Sequence, residues 1–421
     1  MKILVIGSGL IGVTTAYFLS CRGHSVTVVD RQEGPGRETS FANGALLHPS
    51  MPEPWNAPGC WRVLLGSLGR SDAALQLRLR VLPGLVGWGT AFLRNSTAVT
   101  FERNALSNLR LASYSLKVMH ALGQQIDIQY GRVARGSLRI FRDPVALDRA
   151  VATANRRLSE GLAFRRLSGT EAVELEPALA PIESQLVGAV HYEADEIGDA
   201  YRFCVALADC ARQRGVDFRF RTEITSLEVR LGRVTNVLSA RERFVADRYI
   251  VAAGSYSAPL LRRAGIDLPV QPAKGYSVTI KTQQSGLSLA TPLLDDQLHV
   301  AVVPLEGAIR VAGTAEFAGY NLELRAARIR NLLRLLKGVL PDASFDPASP
   351  QPWCGLRPMS VDGVPIIGFT PISNLLVNTG HGPLGWTMAA GSGQLIADHL
   401  SNHSFSIDPL PYAPSRFLSV A

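Results

Sequence analysis

Lys2-Ile-Leu-Val-Ile-Gly-Ser-Gly-Leu-Ile-Gly12 is the stretch on which the fold turns. Lys2–Ile6 is an apolar, β-branched run with the character of a buried strand. Glycines follow at 7, 9 and 12, and residues 13–21 carry helical spacing, with Val13, Ala16, Tyr17 and Ser20 on one stripe. Gly23 stops that helix, and Ser25–Val29 reads as a second strand ending at Asp30. Strand, glycine loop, helix, strand and acid make up a dinucleotide-binding unit. Gly7 turns out of the strand, Gly9 lets the backbone approach a pyrophosphate, and Gly12 lets helix and strand close on each other. Ser8, Leu10 and Ile11 complete the loop, and the helix N-terminus offers free N–H groups to a phosphate. Asp30 stands where a carboxylate accepts ribose hydroxyls. The unit alone leaves FAD and NAD both open.

Outward from this unit, residues 31–50 are rich in Gly, Pro, Ser, Thr and Asn. They form a long loop at the carboxyl end of the nucleotide strands, where open α/β sheets bind ligands. Thr39, Ser40, Asn43 and Gly44 are its small donors. Residues 248–254 are another apolar strand ending on Gly254, and 270–282 and 299–313 alternate like antiparallel strands. Near the end of the chain, Gly380-His-Gly-Pro-Leu-Gly-Trp-Thr387 opens a second helix with glycines. Two anion-ready helix starts fit one long cofactor, and FAD is long enough to reach both. The expected fold is α/β: a Rossmann-type FAD-binding domain (1–50, 198–265, 352–405) interleaved with an α+β substrate domain (51–197, 266–351) on a mainly antiparallel sheet. Residues 406–421 form a C-terminal tail.

Composition narrows the class. With 47% hydrophobic and 19% charged residues the chain can bury sizeable cores. Its net charge of +8 suits an anionic substrate, cofactor or membrane surface, while the absence of basic blocks interleaved with aromatics argues against nucleic acid. Five dispersed cysteines without a CxxC pair point to reduced thiols in the cytoplasm, not a disulfide framework or a metal site. No signal peptide or transmembrane segment is expected. The uncharged run 81–93, flanked by Arg78, Arg80 and Arg94, is too short to span a bilayer. It reads as an ordinary buried helix or loop in preference to a membrane-surface element.

Val5-Ile-Gly-Ser-Gly-Leu-Ile-Gly12, Glu38-Thr-Ser-Phe-Ala-Asn-Gly44, Pro54-Trp-Asn-Ala-Pro-Gly59, Lys274-Gly-Tyr276, Gly355-Leu-Arg-Pro358 and Asn378-Thr-Gly-His-Gly-Pro-Leu-Gly-Trp-Thr387 run over nearly the whole chain. Together they resemble the flavin-dependent amine and amino-acid oxidoreductases, a superfamily that includes D-amino-acid oxidase, glycine oxidase and the small subunit of bacterial D-amino-acid dehydrogenase. The resemblance implies noncovalent FAD and oxidative deamination of D-amino acids to 2-oxo acids and ammonia by hydride transfer from Cα to flavin N5. It also implies electron passage to a quinone or another acceptor, with possible contact to the cytoplasmic face of the inner membrane. Arg31, Ile224, Gly254, Gly382, Gly385, Trp386 and Thr387 join the expected cofactor contacts. Arg357 is the expected carboxylate anchor, at the end of an apolar strand, because a guanidinium is a planar fork that keeps its charge. Tyr276 and Lys274 are further candidates at the substrate or flavin. His48 stands where such proteins more often have a small hydroxyl residue; reaching the substrate and lying solvated in the loop are both open to it. Cys354 lies one residue from the position of a flavin-linking cysteine, so strand alternation should turn it away. Three other activities fit the same residues: a dehydrogenase for D-proline-type secondary amines, an oxidase producing hydrogen peroxide, and a noncatalytic FAD-binding electron relay.

Overall fold

The computed structural model describes residues 1–66, 74–282, 288–401 and 403–417, so the end of the expected tail, 418–421, lies outside the described residues. A six-stranded sheet runs in the spatial order Ile366–Phe369, Leu375–Thr379, Arg248–Val251, Lys2–Ile6, Ser25–Val29, Asp217–Arg219. Only Ile366–Phe369 is antiparallel to its neighbour. In the centre, Ile6 is in register with Val29 on one side and Val251 on the other. The strands buried on both faces are runs of Val, Ile and Leu, as a sheet covered by helices requires.

The helix Leu10–Cys21 follows the first strand and packs with Ala200–Gln213 and Gly385–Ser401 in one apolar cluster. It is buried nearly all round, so the single stripe read from its sequence does not describe it: helices cover the side expected to face solvent. A Cβ on Gly12 would sit 1.9 Å from the Gly7 carbonyl oxygen, which is why only glycine lets this helix close on the strand. Thr14 Oγ1 donates to the Ala389 carbonyl at 2.9 Å and ties the first helix to Gly385–Ser401.

A nine-stranded sheet lies beside the first. Its order is Gln351–Ser360, Val270–Lys281, Ala308–Phe317, Val300–Leu305, Leu293–Asp295, Ser137–Phe141, Gly188–Tyr192, Arg165–Leu167, with Leu75–Leu77 added against Ala308–Phe317. All pairings are antiparallel except Leu293–Asp295 with Ser137–Phe141 and Leu75–Leu77 with Ala308–Phe317. The helix Ala326–Val339 buries Leu332 and Leu336 against one face of this sheet, beside Val278 and Val302. Ala98–Gln125 begins at a Thr97 cap that accepts from the Thr100 N–H. Its Ser115 hydroxyl accepts from Gly391 N–H at 2.9 Å, joining it to Gly385–Ser401.

Residues 81–93 correct the sequence reading. They lie within and beside the helix Leu82–Arg94, where only Phe92 is buried, so the element is a surface helix and not an internal one. No described helix is long and apolar enough to cross a membrane.

Candidate active site

A cavity of about 1010 Å³ opens at the carboxyl ends of the parallel strands and extends over one face of the larger sheet. Gly7, Gly9, Leu10, Ile11, Asp30, Arg31, Thr39, Ser40, Asn43, Gly44, Ile224, Gly254, Gly382, Gly385 and Trp386 all border it, as do His48, Tyr276 and Arg357. The starts of Leu10–Cys21 and Gly385–Ser401 therefore face one space. At the first, Leu10 N–H donates to Ser40 Oγ at 3.1 Å, which leaves the Ser40 hydroxyl proton to donate to a ligand. Asp30 Oδ2 accepts from Ser8 N–H and Ser8 Oγ, and Oδ1 accepts from Gln32 N–H, so the carboxylate is locked to the glycine loop and keeps lone pairs for a ribose. Arg31 is held by Glu38 at 2.6 Å and stacks over Tyr256 at 3.8 Å.

The larger sheet supplies the other end. Arg357 lies within the strand Gln351–Ser360, not at its end, opposite Ala273. Its guanidinium crosses to the neighbouring strand, where a Cβ on Gly275 would lie 2.5 Å from it; glycine makes the room. Trp55 lies 5.6 Å away. No described residue forms a hydrogen bond or ion pair with this guanidinium, and burial lowers its pKa to about 10. It remains cationic at neutral pH and has no counter-ion of its own. A half-buried cation without a partner is costly, so the geometry is that of a receptor for an anion.

Two of the imidazoles that border the same space carry buried ring nitrogens without a partner among the described residues. His381 is 3% exposed, and both ring nitrogens lack a partner among the described residues; burial lowers it to about 3. His48 Nδ1 is likewise buried without a partner, and burial lowers the ring to about 4. Buried polar atoms are nearly always paired, so these orphans and the glycine-lined cradle fit a heteroaromatic, phosphate-bearing cofactor such as FAD. The sequence singled out His48 but not His381, although His381 stands inside a quoted motif; its signal is a histidine between the glycines that open a helix.

Not every expected residue meets the cavity with its polar group. Lys274 does not border the cavity: its Nζ donates to the Glu323 carbonyl at 2.9 Å and lies 3.3 Å from Glu316. Tyr276 borders it, but its hydroxyl donates to Glu316 Oε2 at 2.8 Å. Strand alternation explains both, since Gly275 faces Arg357 and its two neighbours must face the other way. Thr387 also stands back, where its Oγ1 accepts from His48 N–H at 3.1 Å and so positions that loop. Trp386 reaches the cavity with one edge, while its indole N–H donates to the Gly198 carbonyl inside the core. Ser8 and Gly12 shape the glycine loop from behind. Cys354 faces away and donates to the Leu322 carbonyl at 3.1 Å.

The model of the family described as DAO, FAD dependent oxidoreductase, matches residues 2–399. A protein named D-amino acid dehydrogenase from Sinorhizobium medicae is 40% identical over 417 residues, covering 99% of this chain and 100% of its own. One of the same name from Vibrio atlanticus is 37% identical over 419 residues, covering 99% and 100%. Among solved structures, glycine oxidase from Geobacillus kaustophilus superposes with a TM-score of 0.76 at 21% identity, covering 99% of this chain and 100% of that one. L-proline dehydrogenase from P. horikoshii gives 0.75 at 17%, covering 99% and 97%. At such identities the two structures speak for the fold alone.

Proposed function

The chain belongs to the DAO family of FAD dependent oxidoreductases, and from that premise we propose that it oxidises D-amino acids to 2-oxo acids and ammonia. The observation that carries this reading is Arg357, a half-buried guanidinium without a counter-ion, bordering the cavity that the two glycine-opened helix starts also face. An amino acid brings the missing carboxylate, and the fork fixes its orientation bidentately. Gly7, Gly9, Ser40, Asp30 and the start of Gly385–Ser401 would hold FAD, noncovalently, since Cys354 is turned away. When bound, FAD supplies the acceptor for the hydride that leaves Cα.

The chain's own part is positioning. Arg357 fixes the carboxylate, Gly275 leaves space for the fork, and Trp55 closes one side. His48 and His381 stay neutral at pH 7, so neither places a second positive charge beside an α-amino group. We assign the six-stranded sheet to the cofactor and the nine-stranded sheet to the substrate, so the strand Gln351–Ser360, expected in the FAD-binding domain, goes with the substrate sheet.

We further propose a quinone as electron acceptor and peripheral contact with the cytoplasmic face of a membrane through the helix Leu82–Arg94. Support comes from outward apolar residues in the helix and in the turn before it, with Leu79 74% and Val86 66% exposed, and from Arg80 in that turn and Arg94 at the helix end. Residues 54–101 contain five arginines and one acid, Asp72. That balance complements anionic lipid.

The test is turnover of D- and L-alanine with a soluble quinone analogue under argon, and with air alone. Ammonia and 2-oxo acid should form from the D-enantiomer with the quinone, and little hydrogen peroxide in air. Equal turnover in air would make the protein an oxidase, and none with any D-amino acid would remove the proposed function.

A further inference from the structure

The strand Ala308–Phe317 is irregular beside the Arg357 end of the cavity. Across from it, Tyr276 pairs with Gly313 and Gly275 pairs with Ala315, which leaves Thr314 as an extra, unpaired residue. This is a β-bulge, a device that re-aims a side chain at the cost of ladder pairing. Thr314 takes φ +56°, in the left-handed region that a β-branched residue avoids. Glycine would adopt that backbone freely, so the sequence keeps a strained threonine where a relaxed residue would serve the turn. The hydroxyl is the group that glycine lacks. Thr314 is 6% exposed, borders the cavity, and its Oγ1 is buried with no hydrogen-bond partner among the described residues. Neighbouring strands lie about 4.8 Å apart. The Arg357 guanidinium rests over Gly275, so a ligand on that fork lies about one strand spacing from Thr314.

We propose that Thr314 is the second binding group for the substrate's α-carboxylate, its hydroxyl donating to an oxygen that Arg357 leaves unsaturated. This rests on the reading of Arg357 as the carboxylate fork. A carboxylate has about four lone-pair sites and a bidentate fork occupies two. A hydroxyl donor on a third fixes rotation of the headgroup about the fork, and with it the direction of the Cα–H bond. The strain at Thr314 is retained because the bulge aims this hydroxyl.

The experiment compares FAD-loaded wild type with Thr314→Val, Thr314→Ser, Thr314→Gly and Arg357→Leu, using D-alanine and its carboxylate-free analogue D-alaninamide. Loss of a hydrogen bond to a charged group should raise KM for D-alanine about 10- to 100-fold in Thr314→Val and leave D-alaninamide unchanged. Thr314→Ser should recover most of the loss. Thr314→Gly should show the valine variant's KM together with a higher Tm than wild type, and it carries the test if Thr314→Val does not fold. A wild-type KM in Thr314→Val or Thr314→Gly, with Arg357→Leu impaired, overturns the role of Thr314 alone. An unimpaired Arg357→Leu overturns the underlying reading. Flavin loss in Thr314→Gly would assign the hydroxyl to the cofactor and also overturn the proposal.

Discussion

Lys274 is 1% exposed and Glu316 fully buried, and Arg78 and Arg325 also converge on that carboxylate. A lysine beside a tyrosine in a family motif reads as a site residue, but the pair is the centre of an ionic cluster on the far face of the strand. Alternation contains this answer once Gly275 is placed against Arg357, and nothing in the sequence alone places it there. Lys274→Met should therefore cost stability, roughly 3 kcal/mol at most because two arginines remain on Glu316. KM for D-alanine should stay near wild type; urea unfolding together with steady-state kinetics checks both. Asp30, in contrast, is legible from sequence, because its distance from the glycine loop is fixed by one strand–helix–strand unit. Its two oxygens also accept from Ser8 and Gln32. Asp30→Ala should thus lower bound FAD per chain after gel filtration, by loss of the ribose acceptor and by loosening of the loop.

The helix Leu82–Arg94 shows what a single element hides. Trp88 and Phe92 pack inward, stacked at 4.9 Å, while Val86 and Leu93, with Leu79 in the turn before the helix, point out. An uncharged run looks the same in a core and on an apolar outer face, so sequence composition cannot choose between them; the accessible surface does. Exposed apolar residues between arginines predict binding to anionic vesicles that weakens as salt rises. Sedimentation with vesicles at low and high salt checks this, and Val86→Asp should reduce binding without changing turnover with a soluble acceptor. A protein that never sediments with anionic vesicles at low salt would remove this face as the contact. The two glycine-opened helices behave in the opposite way. Their starts are written locally, in Gly7–Gly12 and Gly380–Gly385, and both open on the cavity.

At the scale of the molecule, the sheet that carries the nucleotide motif draws strands from three separate stretches of chain. Apolar runs ending on glycine announce most of those strands. The order of strands in the larger sheet, and hence the meeting of Arg357, Gly275 and Thr314, depends on pairing between distant segments that no local pattern encodes. In the apoprotein the cavity histidines also have a global consequence for acid stability. His48 and His381 bind protons more weakly folded, at about 4 and about 3, than unfolded, near 6.5. With FAD removed, their contribution is full above pH 6.5 and is lost as pH falls through these values. Asp195 has the opposite sign: burial raises its carboxyl from 3.8 to about 7, so its contribution is full below 3.8 and is lost as pH rises through 7. Asp195→Asn should therefore make the loss of stability between pH 6.5 and 4 steeper, as followed by urea midpoints. The central claim is that one unpaired fork presents a D-amino acid to the flavin. It is tested most directly by anaerobic stopped-flow mixing of D- and L-alanine with wild type, Arg357→Lys and Arg357→Leu, following flavin bleaching. Loss of a paired, hydrogen-bonded charge should cost on the order of 3–5 kcal/mol. Bleaching by D-alanine should then slow by about two to four powers of ten in Arg357→Leu, with FAD content near wild type and partial recovery in Arg357→Lys. Rapid bleaching of Arg357→Leu by D-alanine, or equal bleaching of wild type by both enantiomers, would contradict the account.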